Sequence, residues 1–228
     1  MADHREPPPV HPLPASVVLL FLAIAAVEAV LTLGAQGWIG GPQAVGWRLL
    51  AINDYAFFDE IFEQMWRLQV WPIEHLRRFV SYAFVHGSLT HAAFAGVILL
   101  AMGKMVAEAL GQWQMLAIFF ASVVAGALAY ALLVDERLPL LGAFPGVYGL
   151  IGGFTYLLWR NLGALGENQY RAFTLIGFLM GIQLLFGLLF GGQKDWIADV
   201  AGFAVGFGLS FLLDRGGWSR LREKLRHD

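Results

Sequence analysis

Gly142-Ala143-Phe144-Pro145-Gly146-Val147-Tyr148-Gly149-Leu150-Ile151-Gly152 is the stretch on which the reading of this chain turns. Taken alone, it is the apolar start of a helix, and its meaning depends on its surroundings. The composition sets the solvent: of 228 residues, 58% are hydrophobic and 14% charged. The mean hydropathy of +0.62 lies well above that of a water-soluble domain. An integral membrane protein follows, built as one compact all-α membrane domain. A spanning helix needs roughly 20 apolar residues, so the length accommodates about six, with one sizeable loop. The formal net charge of −2 offers no basic face for phosphates, which excludes nucleic acid as the expected partner. Cysteine is absent, which removes disulfides, thiolate nucleophiles and cysteine-bound metal from consideration.

Apolar spans lie near residues 15–35, 79–102, 113–134, 144–161, 170–191 and 196–214, predicting six transmembrane helices. The segment 1–14 carries Asp3, Arg5 and Glu6 among five prolines. It lacks the basic stretch and cleavage site of a signal peptide, and the apolar run after it is long enough to stay in the bilayer. The tail 215–228 holds Arg215, Arg220, Arg222, Lys224 and Arg226, which places it in the cytoplasm; an even helix count puts the N-terminus there too. Residues 36–78 then form a long outer loop. Within it Phe57, Phe58, Ile61, Phe62, Met65 and Trp66 recur at helical spacing among acidic residues, predicting an amphipathic helix that either lies in the outer interface or packs on the bundle. Small residues mark two helices for close packing, Ser122, Gly126 and Ala129 in one and Gly202, Gly206 and Gly208 in the other.

Three motifs in order resemble the rhomboid family of intramembrane serine proteases, over roughly residues 77–214. The opening stretch resembles the family's nucleophile segment, with Phe144 where the serine stands. Ala198-Asp199-Val200-Ala201-Gly202-Phe203-Ala204-Val205-Gly206 is similar to the last-helix motif, with Asp199 at the position of the catalytic histidine. The run from Arg78 to His91 resembles the second-helix signature, whose two histidines are His86 and His91. Four residues further, Ala95 stands where the family has an oxyanion-stabilising asparagine. Of the family's Trp-Arg pair only the arginine is present, at Arg78, and Glu108 is displaced by one residue from its family spacing after Gly103.

The resemblance implies a six-helix bundle with both termini cytoplasmic, and it implies a reaction whose parts can be checked one by one. A rhomboid serine attacks a peptide carbonyl while a histidine takes its proton and hydrogen-bond donors hold the oxyanion. Phe144 has no atom that can attack, Pro145 has no N–H to donate, Ala95 has no polar side chain, and Asp199 is a weak base with nothing to activate. Loss of such a dyad costs several orders of magnitude in rate. The expectation is a rhomboid-like pseudoprotease in which His91 alone of the catalytic positions is retained, with a cavity lined by His86, His91, Phe144, Tyr148 and Asp199.

Asp199 is an ionisable group at membrane depth and is expected to pair with His86 or His91. A metal site is not expected: two histidines five apart on a helix diverge by about 140°. Glu28 in the first helix is expected to be paired or to reach the interface. No cofactor is expected. Inactive family members bind transmembrane segments of other proteins, which implies the same role here, with the lipid bilayer and partner transmembrane helices as partners. The location expected with it is a bacterial inner membrane, crossed several times. Two alternatives stand beside this: an accessory subunit of a larger membrane complex, and an intramembrane serine peptidase with non-standard residues. A small transporter ranks last, because no paired, interrupted helices are evident.

Overall fold

The computed structural model describes residues 12–135, 138–190 and 194–214. The expected basic tail and the N-terminal segment up to residue 11 lie outside the described residues. Ten α-helices are present among the described residues: α1 Ala15–Ala35, α2 Trp47–Tyr55, α3 Asp59–Leu68, α4 Ile73–Leu76, α5 Arg78–Ser81, α6 Leu89–Leu110, α7 Gln112–Leu133, α8 Phe144–Ala164, α9 Thr174–Phe190 and α10 Trp196–Leu213. Short 3-10 turns occupy Pro42–Gly46, Tyr82–Phe84 and Gln169–Phe173. The only β pairing described is one isolated antiparallel bridge between Phe57 and Leu140.

Four helices, α1, α6, α7 and α10, are long and apolar enough to cross a membrane. α8 has a different reason for being helical. It is the central helix, with an unbroken buried run from Pro145 to Gly153, and a helix covered by protein on all sides needs less apolarity than one facing lipid. Pro145 sits in its first turn, where a missing N–H costs nothing and the fixed φ suits the helix. α10 crosses α8 where neither has side chains to hold them apart. A Cβ on Gly206 would overlap the carbonyl of Gly149, one on Gly202 the carbonyl of Pro145, and one on Gly152 the backbone of Phe203 and Phe207. Ser122 on α7 closes the triangle by donating to the Gly202 carbonyl at 3.0 Å.

The second predicted span, 79–102, is corrected: the helix runs from Leu89 to Leu110, with Ser88 as N-cap accepting from the His91 amide at 3.2 Å. The apolar residues ahead of it, Tyr82, Ala83 and Val85, are buried in protein and lie outside the long helix. The long segment 36–78 folds into α2 to α4, and α5 begins at its end. The amphipathic helix is α3, with Asp59 and Glu60 in its first turn and Arg67 in its last, in accord with the helix dipole. Phe62 and Met65 are buried against the bundle while Trp66 is exposed, so the helix packs on protein with one edge and turns the other outward.

Candidate functional site

The nucleophile turn is placed by three elements that meet at Gly142. Its amide donates to the Tyr82 carbonyl at 2.9 Å, its φ of 93° is one that glycine adopts without strain, and a Cβ there would lie 2.8 Å from the His91 ring. The Phe57–Leu140 bridge, with hydrogen bonds of 3.0 and 2.8 Å, ties the long segment 36–78 to the segment leading into this turn. The Tyr82 hydroxyl, buried below it, donates to the Val123 carbonyl of α7 at 2.7 Å. A turn pinned from the segment 36–78, from α6 and from α7 holds whatever side chain stands at position 144 in one place.

That side chain is a phenyl ring. Phe144 stacks on His91 with centroids 5.1 Å apart and planes inclined by 15°, and its other neighbour is Tyr148 at 6.4 Å. His91 in turn meets His86 edge to face at 5.1 Å. His86 lies in the loop ahead of α6, so the divergence of two histidines on one helix does not apply, and the two rings are neighbours. Its Nε2 accepts from the Ala143 amide at 3.2 Å, which puts the ring proton of the neutral form on Nδ1. Burial, reinforced by the neighbouring His91, pushes its pKa down to about 4. The Nδ1 atom of His91 accepts from the Gly87 amide at 3.4 Å. Both histidines thus serve as acceptors that shape the loop and the turn. Ala95 is fully buried one turn along α6.

Asp199 is where the expectation fails. The carboxylate is paired with neither histidine: its Oδ2 accepts from Nε2 of Gln183 on α9 at 2.9 Å. The carboxamide oxygen of Gln183 accepts from the Tyr148 hydroxyl at 3.2 Å. A hydrogen-bonded chain therefore links α8, α9 and α10 through Tyr148, Gln183 and Asp199. Of the five cavity residues expected from sequence, His86, His91, Phe144 and Tyr148 form one continuous row of rings, and Asp199 joins it only through Gln183. Among the described residues no three of His, Cys, Asp and Glu converge as a metal site would require.

Two residues of the site were missed by sequence reasoning. Gln183 had a signal, as the single polar side chain in the run from Leu175 to Phe190. Arg48 had none, because nothing in the loop sequence says which cation turns inward. Its two nitrogens NH1 and NH2 clasp Glu28 at 3.0 and 2.7 Å, and NH1 also donates to the His86 carbonyl at 2.6 Å. Thr32 adds a hydrogen bond of 2.7 Å to Glu28. The expected pairing of Glu28 is met by this buried clamp, which fastens the His86 loop to α1.

A sequence model described as "Rhomboid domain" matches residues 73–216. Among curated proteins, the chain is 25% identical to human Rhomboid-related protein 3 over 175 residues, 72% of this chain and 41% of that protein. It is 27% identical to RHOMBOID-like protein 4 of Arabidopsis thaliana over 136 residues, 60% of this chain and 34% of that protein. Mouse Rhomboid-related protein 3 is 23% identical over 175 residues, 72% of this chain and 41% of the relative. The chain thus spans well under half the length of these relatives. All three are eukaryotic, and they lend no support to a bacterial inner membrane; a multi-pass membrane protein is what the match and the helices establish.

Proposed function

The chain belongs to the rhomboid family, and from that premise we propose that it is a pseudoprotease, which receives transmembrane segments of partner proteins and does not cleave them. One observation carries the reading: the nucleophile turn presents the Phe144 ring stacked on His91, while the carboxylate at the base position is held by Gln183. Serine-type hydrolysis needs an oxygen nucleophile within hydrogen-bond reach of a base. The nearby serines are otherwise engaged, Ser88 as the cap of α6 and Ser81 as a donor to the Tyr55 carbonyl at 2.8 Å. Pro145 and Ala95 leave two oxyanion donors missing.

In this reading the membrane domain is 15–214, with 36–78 on the outside, and the segments 1–14 and 215–228 in the cytoplasm. Six helices cross, α8 and α9 joining the four long apolar ones. The partner helix enters beside α9, whose Phe178, Ile182 and Leu185 are exposed. Since the chain has no cysteine, single cysteines introduced into the outer loop and the tail report topology by labelling from either side.

The test uses the purified full chain reconstituted in liposomes with a transmembrane substrate that active rhomboids cut. The expected result is photo-crosslinking of the intact substrate and no cleavage product. Cleavage that disappears in Asp199→Ala would sink the reading and favour the peptidase with non-standard residues. The same exposed face of α9 also suits a permanent contact, so an accessory subunit is the second reading. It requires stoichiometric co-purification of one partner from native membrane.

A further inference from the structure

α9 is attached to the bundle by two kinds of contact. Leu175, Ile176, Leu179 and Met180 pack against the core, and Gln183 supplies the polar link. Both ends of its carboxamide are used, one on Tyr148 and one on Asp199. Those two residues are 5% and 3% exposed with Gln183 in place. A carboxylate and a phenol left without partners at membrane depth are costly, and outward movement of α9 strips both at once. A partner segment that enters beside α9 is favoured if it brings the missing hydrogen bonds with it.

We propose that Tyr148 and Asp199 form a recognition site for a side-chain carboxamide, filled in this structure by Gln183 and open to an Asn or Gln carried at the same depth by a partner's transmembrane helix. This rests on the reading that the chain receives transmembrane segments. The chemistry of the pair selects the ligand. Tyr148 offers an O–H and Asp199 offers carboxylate oxygens, so the complementary group presents an acceptor and a donor on one carbon. A carboxamide has that pattern. An aliphatic side chain satisfies neither partner, and a lysine satisfies only the carboxylate. Gln183 then acts as an internal competitor that keeps the site occupied until a matching helix arrives.

The test measures binding of three labelled Leu/Ala transmembrane peptides, with a central Asn, Leu or Lys, to the full chain in liposomes by energy transfer. The Asn peptide is expected to bind about tenfold more tightly than the Leu peptide, the size of an interhelical polar contact in lipid. Gln183→Leu should tighten the Asn peptide more than the Leu peptide. Tyr148→Phe should reduce the preference and Asp199→Leu should remove it, with thermal unfolding and gel filtration as controls for folding. Tyr148→Phe, which deletes a single oxygen, decides the matter if Asp199→Leu does not fold. Equal binding of the Asn and Leu peptides overturns the site while leaving segment binding intact; binding of none of the three overturns both. A Lys preference indifferent to Tyr148→Phe overturns the carboxamide assignment in favour of a cation.

Discussion

α8 and α9 are neighbouring helices held to α10 in opposite ways. At the α8–α10 crossing Gly202, Gly206 and Gly152 bring backbone onto backbone, and no larger residue fits. On α9 Gly177 and Gly181 face open space, and a lone carboxamide makes the polar link. Yet α9 is the more apolar of the two. In lipid, apolarity by itself does not bind helices to one another, because the lipid chains are equally apolar; shape and hydrogen bonds do. The close-packed pair carries the turn that presents Phe144, and α9 carries the single polar link, which is the division of labour that the proposed segment binding requires.

The strongest blow to this contrast is Gly206→Leu, which forces a side chain into the Gly149 carbonyl. A loss of about 3 kcal/mol or more is expected, seen as a collapse of the thermal unfolding transition in detergent. Acid should strike the same rigid side. The His86 pKa is held at about 4 in the fold against an ordinary 6.5, so between those values the unfolded chain takes up a proton that the native loop refuses. The contribution of His86 to stability is full above pH 6.5, falls as pH drops toward 4, and levels below it. Unfolding midpoints measured across that range should show the slope, and His86→Gln should flatten it. Gln183→Leu is milder, about 1–3 kcal/mol from leaving Asp199 and Tyr148 unpartnered. Amide exchange should rise in α9 with α8 and α10 still protected; equal loosening of all three helices contradicts the contrast. Gly181→Ala, with nothing within 4 Å of the added carbon, should change stability by no more than about 0.5 kcal/mol, against the collapse at Gly206.

Much of the helical framework, though not this division, is legible in the sequence. The ranges of α1, α7 and α10 agree with the apolar spans to within a residue at each end, because an apolar helix between polar loops has few alternatives. The start of α6 was misplaced by ten residues, from 79 to Leu89. Hydropathy cannot tell a residue such as Tyr82 or Val85, buried in protein ahead of a helix, from one facing lipid. Of the two readings of α3, packing on the bundle is met at Phe62, while Trp66 is exposed, because a moment in the sequence marks a face without naming what covers it. Of the expected site residues, His86, His91, Phe144 and Tyr148 stand in one row of rings, while Gln183, the partner of Asp199, was not among them.

The sequence by itself determined that this is a helical membrane protein, that three motifs stand in rhomboid order, and that no serine stands at position 144. Those are properties of residue type and spacing along the chain, which survive without coordinates. Only the tertiary structure decided that His86 and His91 are adjacent, that Arg48 reaches Glu28, and that Asp199 meets Gln183. Each of those contacts joins groups on separate elements, and hydrogen bonds of about 3 Å demand a placement that loop paths and helix packing supply and that no local pattern encodes.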